Sequence, residues 1–390
     1  MTTIAHLSDL HLGLTRFAAR TATRQNQREA DMQRAADVVG DHLIELRPDI
    51  VVIAGDFFDK FHVGTAGELA AVRLMQRLSS ADLPVVVIGG NHDQPDTPGS
   101  DISLGHLRER GARVYLEQGL LDLGHVRLHL VPYRTLSRFY RGAGAVNEFQ
   151  FSDTHANVLV AHGYAAGDGV TYPPEPVQIP ADWLTDERFA LSCLGHVHLH
   201  LQIAPRVFYG GVIERTNFGE VNVEPAFWIH TIDEDTLTLS ESRSVRVADL
   251  GIEGVPRPMY RIDVDAAEKT LDELTREVEP LICDARMQGA MLDLHVTDVS
   301  VEFTRQRVRA QWERLFAQAG GLHIDIQARP RRVREMLDVK FAGMPTSIPD
   351  AFEQFINGQD LSDDRRRELL DVGLEVLGIA HEKVAREAVK

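Results

Sequence analysis

Seven side chains able to hold divalent metal ions follow five short runs of β-branched and apolar residues. Ile4–Leu7 leads into Ser8-Asp9-Leu10-His11, Asp49–Ala54 into Gly55-Asp56-Phe57-Phe58-Asp59, and Pro84–Ile88 into Gly89-Gly90-Asn91-His92-Asp93. Asn157–Val160 leads into Ala161-His162-Gly163, and Leu191–Leu194 into Gly195-His196-Val197-His198. The candidates are Asp9, His11, Asp56, Asn91, His162, His196 and His198. Ligands of open α/β sheets gather beyond the carboxyl ends of strands, so five such ends could share one rim. Mixed Asp/His/Asn donors suit Mn²⁺, Fe²⁺ or Zn²⁺. Seven donors exceed one ion and fit a pair about 3.5–4 Å apart, sharing one carboxylate. Asp9-x-His11 and His196-x-His198 have the two-residue period that puts both members of a pair on one face. Taken singly, each residue has a plainer reading: a core histidine, a helix cap at Asp9, a turn residue at Asp56, a polar turn at Asn91-His92-Asp93. Five clusters, each behind a strand, favour the metal reading.

The elements that must position these residues are legible in outline. The runs are nearly continuous in Val, Ile and Leu, as in strands buried on both faces. Gln25–Arg47 and Gly67–Ser80 carry apolar residues three and four apart and predict helices, so the first half reads as βαβ units. Arg113–Leu116 and His125–Val131 are closer together and hairpin-like. The expectation is an α/β architecture with two mixed sheets face to face. Gly251–Pro258 has two glycines and two prolines in eight residues and marks a boundary. Beyond it, strands at Tyr260–Val264, Ala290–Val296 and Leu322–Gln327 alternate with helices at Thr270–Cys283 and Arg305–Ala319, a small α+β module. Pro345–Pro349 precedes amphipathic helical segments at Asp350–Ile356 and Asp363–Glu387. The expected divisions are 1–250, 258–335 and 345–390.

Composition narrows the class. The chain has 390 residues, 44% hydrophobic and 25% charged, the profile of a globular protein. No apolar run approaches the ~18 residues a membrane helix needs, and the start reads as a strand rather than a signal peptide. Two cysteines exclude a disulfide framework and a cysteine-based zinc site, and a reducing cytoplasm is the expected location. The formal charge of −17 makes the chain a poor generic binder of polyanions, so any nucleic acid must be drawn by local basic groups, ions or a partner. Thirteen of seventeen histidines lie in the first 200 residues, where the chemistry is expected.

The ordered series Asp-x-His, Gly-Asp-x-x-Asp, Gly-Asn-His-Asp, His-Gly and Gly-His-x-His resembles the calcineurin-like metallophosphoesterase superfamily. The resemblance implies a four-layer α-β-β-α sandwich with a di-metal site at one edge. It implies that Asp9, His11, Asp56 and His198 hold one ion and Asp56, Asn91, His162 and His196 the other. Asp56 then bridges. It places His92 over the phosphate as proton donor or transition-state stabiliser, with Asp93 orienting it. Gly55-Asp56-Phe57-Phe58-Asp59 and Gly90-Asn91-His92-Asp93 are similar to the SbcD-type repair exonucleases, bacterial relatives of the archaeal and eukaryotic double-strand-break nuclease. So is Tyr209–Glu220, although Val212 stands where that family has serine. Those archaeal and eukaryotic relatives carry a histidine where this chain has Asp59; His62 lies nearby.

The resemblance implies a DNA nuclease of exonuclease and single-strand endonuclease action, with two divalent ions, Mn²⁺ favoured. It also implies a DNA-capping module after Gly251, a homodimer, and C-terminal helices docked on a coiled-coil ATPase of SbcC type. The chain has no phosphate-binding Gly-x-x-x-x-Gly-Lys-Ser/Thr loop, so ATP dependence would come from that partner. The alternative is a small-substrate phosphoesterase such as a cyclic-nucleotide phosphodiesterase, which needs no extra module. Arg16, Arg20, Arg24 and Arg28 would form a basic face if helical. Arg134, Arg138 and Arg141, with Tyr133, Phe139 and Tyr140, would add phosphate contacts and stacking platforms. Arg329, Arg331, Arg332 and Arg334 form a third basic cluster.

Overall fold

Alternation along the strands decides the layers. The computed structural model describes residues 1–94, 103–166, 177–299 and 308–330, with isolated positions between 352 and 373. The strands in chain order are β1 (Thr2–Leu7), β2 (Ile50–Ile53), β3 (Val85–Ile88), β4 (Arg113–Tyr115), β5 (Gly119–Leu123), β6 (Val126–Val131), β7 (Ala156–His162), β8 (Tyr164–Ala165) and β9 (Gln178–Ile179). There follow β10 (Phe189–Gly195), β11 (Leu201–Ala204), β12 (Val207–Tyr209), β13 (Ala226–Asp233), β14 (Thr238–Arg246), β15 (Met259–Asp265), β16 (Met291–Val299) and β17 (His323–Pro330). The helices are α1 (Gln27–Leu46), α2 (Thr65–Ser80), α3 (Tyr133–Tyr140), α4 (Ala181–Thr185), α5 (Leu271–Ile282) and α6 (Val308–Gln318).

Two six-stranded sheets form, ordered β14-β13-β1-β2-β3-β4 and β11-β12-β10-β7-β6-β5. Ile50 and Val52 of β2, and Val86 and Ile88 of β3, meet Val158 and Val160 of β7 and Leu191 and Cys193 of β10 between the sheets. The alternate residues Val51, Ile53, Val85 and Val87 point the other way, onto Met32, Ala35, Val39 and Leu43 of α1 and Leu74 of α2. Leu159, Ala161 and Leu194 pack outward against Leu136 of α3 and Trp183 of α4. Every strand of the centre is therefore covered on both faces, giving the four layers. Within the core, His6 Nε2–H donates to the Leu194 carbonyl at 3.1 Å and ties β1 to β10 across the sheets. Burial pushes that ring down to about 3, so it stays neutral.

Helix α1 starts at Gln27, not Gln25, because Asn26 caps it: its side chain accepts from the backbone of Arg28 and Glu29. Arg16, Arg20 and Arg24 consequently lie in an irregular, exposed loop rather than on a helix, and Arg24 has a φ of 67°. The expected four-residue basic face does not exist. Arg28, its last member, is fully buried and ion-paired to Asp31 at 2.6 Å and Glu214 at 3.1 Å.

Residues 259–330 build a parallel sheet, β15-β16-β17, in a β-α-β-α-β order. Leu292, Leu294 and Val296 of β16 face the helices and pack with Val278 of α5 and Trp312 and Phe316 of α6. Met291, one register off, turns to the opposite face and packs with Met259 and Phe218. Contacts divide the chain into units 1–330 and 331–390. In the second, residues 352, 355–357, 366–367, 369–370 and 373 are helical. Arg331, Arg332 and Arg334, and most of the expected C-terminal helices, lie outside the described residues. Among the described residues no helix is long and apolar enough to cross a membrane.

Trp312 is fully buried at the centre of the small sheet's core. Trp312→Ala should destabilise this part of the chain by about 3–5 kcal/mol, read as a lower urea midpoint in far-UV circular dichroism. An unchanged midpoint would contradict that packing.

Candidate metal centre

Strands β1, β2 and β3 are parallel neighbours in one sheet, and β7 and β10 are parallel neighbours in the other. The loops beyond their carboxyl ends meet at one edge. The turns there are tight. Asp9, His11, Asp56 and His196 have φ values of 51°, 45°, 48° and 96°, in the left-handed region that L-residues rarely occupy. Such strain persists only where the surroundings hold it. Here Asp9 N–H donates to Gly55 O at 3.0 Å, His11 N–H to Asp56 O at 3.1 Å, and His92 N–H to Asp56 Oδ1 at 2.8 Å. His196 N–H donates to the Asp9 carboxylate at 3.1 Å. Gly90 is required by space: a methyl group there would land on the Asp56 carboxylate. A methyl group on Gly55, whose φ is 92°, would strike the His162 ring.

The seven side chains expected from the sequence come together. His162 Nε2 lies 3.0 Å from Asn91 Oδ1 and 3.4 Å from Asp56 Oδ2. His196 Nδ1 is 2.8 Å from the same Asn91 oxygen. His11 Nε2 lies 3.1 Å from His198 Nε2 and 4.0 Å from Asp56 Oδ2, and His198 Nε2 is 3.9 Å from Asp9 Oδ1. Asp9, His11, Asp56 and His162 are buried, and His92 is exposed beside them, its ring 4.8 Å from that of His11.

The partners of the far ring nitrogens test whether this cluster fits metal ions. His162 Nδ1–H donates to the Ala54 carbonyl at 2.8 Å, which turns Nε2 toward two oxygens. His198 Nδ1–H donates to Glu220 Oε1 at 2.8 Å, which turns its Nε2 toward His11. His11 Nδ1 is buried without a hydrogen bond, 3.6 Å from the Asp59 carboxylate. At this edge, nitrogen and oxygen atoms converge in Asp56–His162–His196, Asp9–His11–His198 and an overlapping His11–Asp56–His92 group. Cations would satisfy such groups, and Asp/His/Asn donors fit borderline divalent ions. The electrostatics agree. Burial disfavours an imidazolium at His162, yet Asp56 beside it pushes the ring up to about 9. His198 is pushed up to about 9, against burial, by Glu220 and Asp9. Burial, then the charge of His162, pushes His196 down to about 3. Burial opposes ionisation of Asp56, but His162 and His11 outweigh it and hold the carboxyl well below its usual range. The pocket favours positive charge, which metal ions supply in place of protons.

Other expectations are revised. Asp93 does not orient His92. Its carboxylate accepts from the backbone N–H groups of Phe57, Phe58 and Gly90 at 2.9–3.2 Å and staples two loops together. The His92 ring is held instead by the Asp59 carbonyl, which accepts from Nδ1 at 2.7 Å. Asp59 points its carboxylate toward His11, and His62 is exposed. Arg134 and Arg138 lie 3.3 and 3.4 Å from Glu117, so their charge is partly neutralised. Tyr133 borders the site, its ring 5.9 Å from that of His196 and nearly parallel to it. Two contributors had no role assigned from the sequence, although Glu220 closes the Tyr209–Glu220 stretch. Tyr164 sets its ring 4.4 Å from that of His196, and Glu220 holds His198. Glu220 is 22 residues from its partner, and no spacing rule links them.

Residues 2–200 match the family model for calcineurin-like phosphoesterases, which is half of the chain and contains all seven converging side chains. The chain belongs to the calcineurin-like phosphoesterase family. Within that family it is similar to the DNA double-strand break repair protein Mre11 of Aeropyrum pernix, 26% identical over 289 residues, 69% of this chain and 64% of that protein. It is also similar to the SbcD component of the nuclease SbcCD from Staphylococcus epidermidis, 22% identical over 261 residues, 60% of this chain and 67% of that one. The match thus spans slightly less than two thirds of the Mre11 relative and about two thirds of the SbcD one. As a calcineurin-like phosphoesterase, the chain has its family match ending at residue 200, before Glu220 and the 259–330 module.

Gly90→Ala should sharply reduce divalent-cation uptake, measured by equilibrium dialysis and elemental analysis. Gly64→Ala, where a methyl group meets open space, is the control. Full uptake by Gly90→Ala would refute the placement of Asp56 against Gly90.

Proposed function

We propose that the chain is a two-metal phosphodiesterase that cleaves DNA. The observation that carries the reading is the convergence of imidazole nitrogens with carboxylate and amide oxygens at one sheet edge, beside an exposed histidine. Asp9, His11, Asp56 and His198 hold one ion and Asp56, Asn91, His162 and His196 the other, with Asp56 shared. When bound, the ions lower the pKa of a water and neutralise charge on the phosphate oxygens. Manganese is the ion we favour, on the resemblance to SbcD-type nucleases.

The chain's own groups do the rest. Asp56 and Asp93 fix the second and third loops to each other, so the donors are preorganised. His92 carries its Nδ1 proton on the Asp59 carbonyl, which leaves Nε2 to exchange a proton with a leaving oxygen. Tyr133 offers a face for an unpaired base beside His196. Arg16, Arg20 and Arg24, exposed on the loop that follows His11, are candidates for backbone phosphates. For a chain of net charge −17, such local groups and the ions must outweigh the overall field. The 259–330 module supports a polymeric substrate over a small cyclic nucleotide, because a small phosphodiester gives an added module no task. The similarity to the SbcD component of the nuclease SbcCD supports an ATPase partner of SbcC type, and dimerisation and a cytoplasmic location are part of the same reading.

The test is cleavage of end-labelled linear duplex DNA by the purified chain with Mn²⁺, beside Asp56→Ala. Cleavage by the wild type and none by the variant is expected. Hydrolysis of bis-p-nitrophenyl phosphate without DNA cleavage, even after addition of the ATPase partner, would overturn the DNA reading. His92→Ala should retain both ions and lose turnover by roughly 10²–10⁴-fold. Loss of the ions instead would remove His92 from the proton-transfer role.

A further inference from the structure

Glu220 ties the centre to a part of the chain far from it in sequence. Its Oε1 accepts from His198 Nδ1 at 2.8 Å, Thr216 Oγ1 at 2.5 Å and Asn217 Nδ2 at 2.8 Å, and its Oε2 accepts from Thr216 N–H at 2.6 Å. The short turn 216–220 therefore sets where this carboxylate stands. That turn is gripped just before it and at its middle. Upstream, Glu214 accepts from the buried Arg28 at 3.1 Å and from Arg257 N–H at 2.6 Å, while the Arg257 guanidinium binds Asp31 of α1 at 2.5 Å. Within the turn itself, the Phe218 carbonyl accepts from Arg261 Nη2 at 3.0 Å, and Arg261 is itself held by Asp293 at 2.8 Å. The Phe218 ring packs on Met259 and Met291, and Phe17 lies 4.7 Å from both Phe218 and His323. Arg261, Met259, Asp293, Met291 and His323 all belong to the small parallel sheet.

We propose that Glu220 is a positioning residue for His198, and that the 259–330 module sets the position of Glu220. Displacement of the module then weakens one of the two ion sites and spares the other. The inference rests on the two-ion reading above. Its chemistry is familiar: a carboxylate on the far nitrogen of a ligating imidazole fixes the tautomer and ring direction and makes the ligating nitrogen more basic. What is particular here is that the carboxylate rides on a turn whose outer surface is the small module. Any load that shifts the module, such as a bound duplex or a moving partner, would be felt at His198 and not at His162, whose far nitrogen is held by the Ala54 carbonyl inside the main sandwich.

The experiment is a calorimetric Mn²⁺ titration of the full chain as wild type, Glu220→Ala, Glu220→Gln and Arg261→Ala, with the melting temperature of each metal-free protein as the stability control. Glu220→Ala should weaken one ion by roughly 10–100-fold and leave the other unchanged. Glu220→Gln should recover part of that loss, since its amide oxygen still accepts from His198. Arg261→Ala, which touches neither ion nor ligand, should weaken the same ion. Two sites of wild-type affinity in Glu220→Ala would overturn the positioning role, as would a Glu220→Gln variant that recovers nothing. A lower melting temperature in Arg261→Ala with both affinities intact would overturn the coupling to the module. If the wild type itself takes up no Mn²⁺, the two-ion reading fails and carries this inference with it. Two tight ions in every variant sink this inference alone.

Discussion

Imidazole nitrogens crowded against carboxylate and amide oxygens at one sheet edge are the constraint on which this structure turns. His162 Nδ1–H donates to the Ala54 carbonyl, and His198 Nδ1–H to Glu220. Each then aims Nε2 at oxygens or another ring. In a closed apolar core such an arrangement would relax, because unpaired polar groups in low dielectric are strongly disfavoured. It does not relax here because the backbone will not let it. Four of the participating residues sit at positive φ, and backbone hydrogen bonds tie the β1 loop to the β2 loop. The loops hold these donors in a crowded arrangement that cations would satisfy.

That rigidity comes from further inside. The strands that deliver the loops are covered on both faces, so none can slip by one residue without turning its apolar set the wrong way. The bond from His6 to the Leu194 carbonyl fixes β1 against β10, three residues before Asp9 and two before His196. A neutral histidine suits that place: it reaches a carbonyl in the other sheet, and burial keeps it uncharged. The register of the core and the geometry of the centre are in this sense one problem. Apolar periodicity solves it in the strands, and polar cross-links, His6 to Leu194, His162 to Ala54 and Trp228 to Tyr209, pin the two sheets to each other.

The same division explains what the sequence made legible. Strands and loops with a strong period, or with Asp, His and Gly at strand ends, could be located because their information is local. The seven converging side chains and the β-α-β-α-β order of the small module are of that kind. What stayed hidden depends on partners distant in the chain. Arg28 looked like the fourth member of a basic face, but Asn26 caps the helix beneath it, and Asp31 and Glu214 take its charge. Arg134 and Arg138 looked free until Glu117 arrived from another loop. Asp93 looked like a natural orienter for its neighbour, yet three backbone N–H groups bind both its oxygens more fully than one imidazole could. Residues adjacent in sequence point apart in a tight turn, and the His92 ring finds a carbonyl 33 residues away.

The buried charges around Arg28 follow from the need to join two cores. An isolated buried guanidinium would be untenable, and even a paired one rarely adds stability over apolar packing. Its value lies in specificity of place. Arg28 and Arg257 share Asp31 and Glu214, one arginine from α1 and the other from the approach to the small sheet. Apolar surfaces alone would let the module slide over the sandwich, whereas this network has one satisfied arrangement. Glu214 opens the same stretch that ends at Glu220. The residues that fix the module's seat are thus continuous with the residue that fixes His198, and the seat and the centre answer to a single short run of backbone.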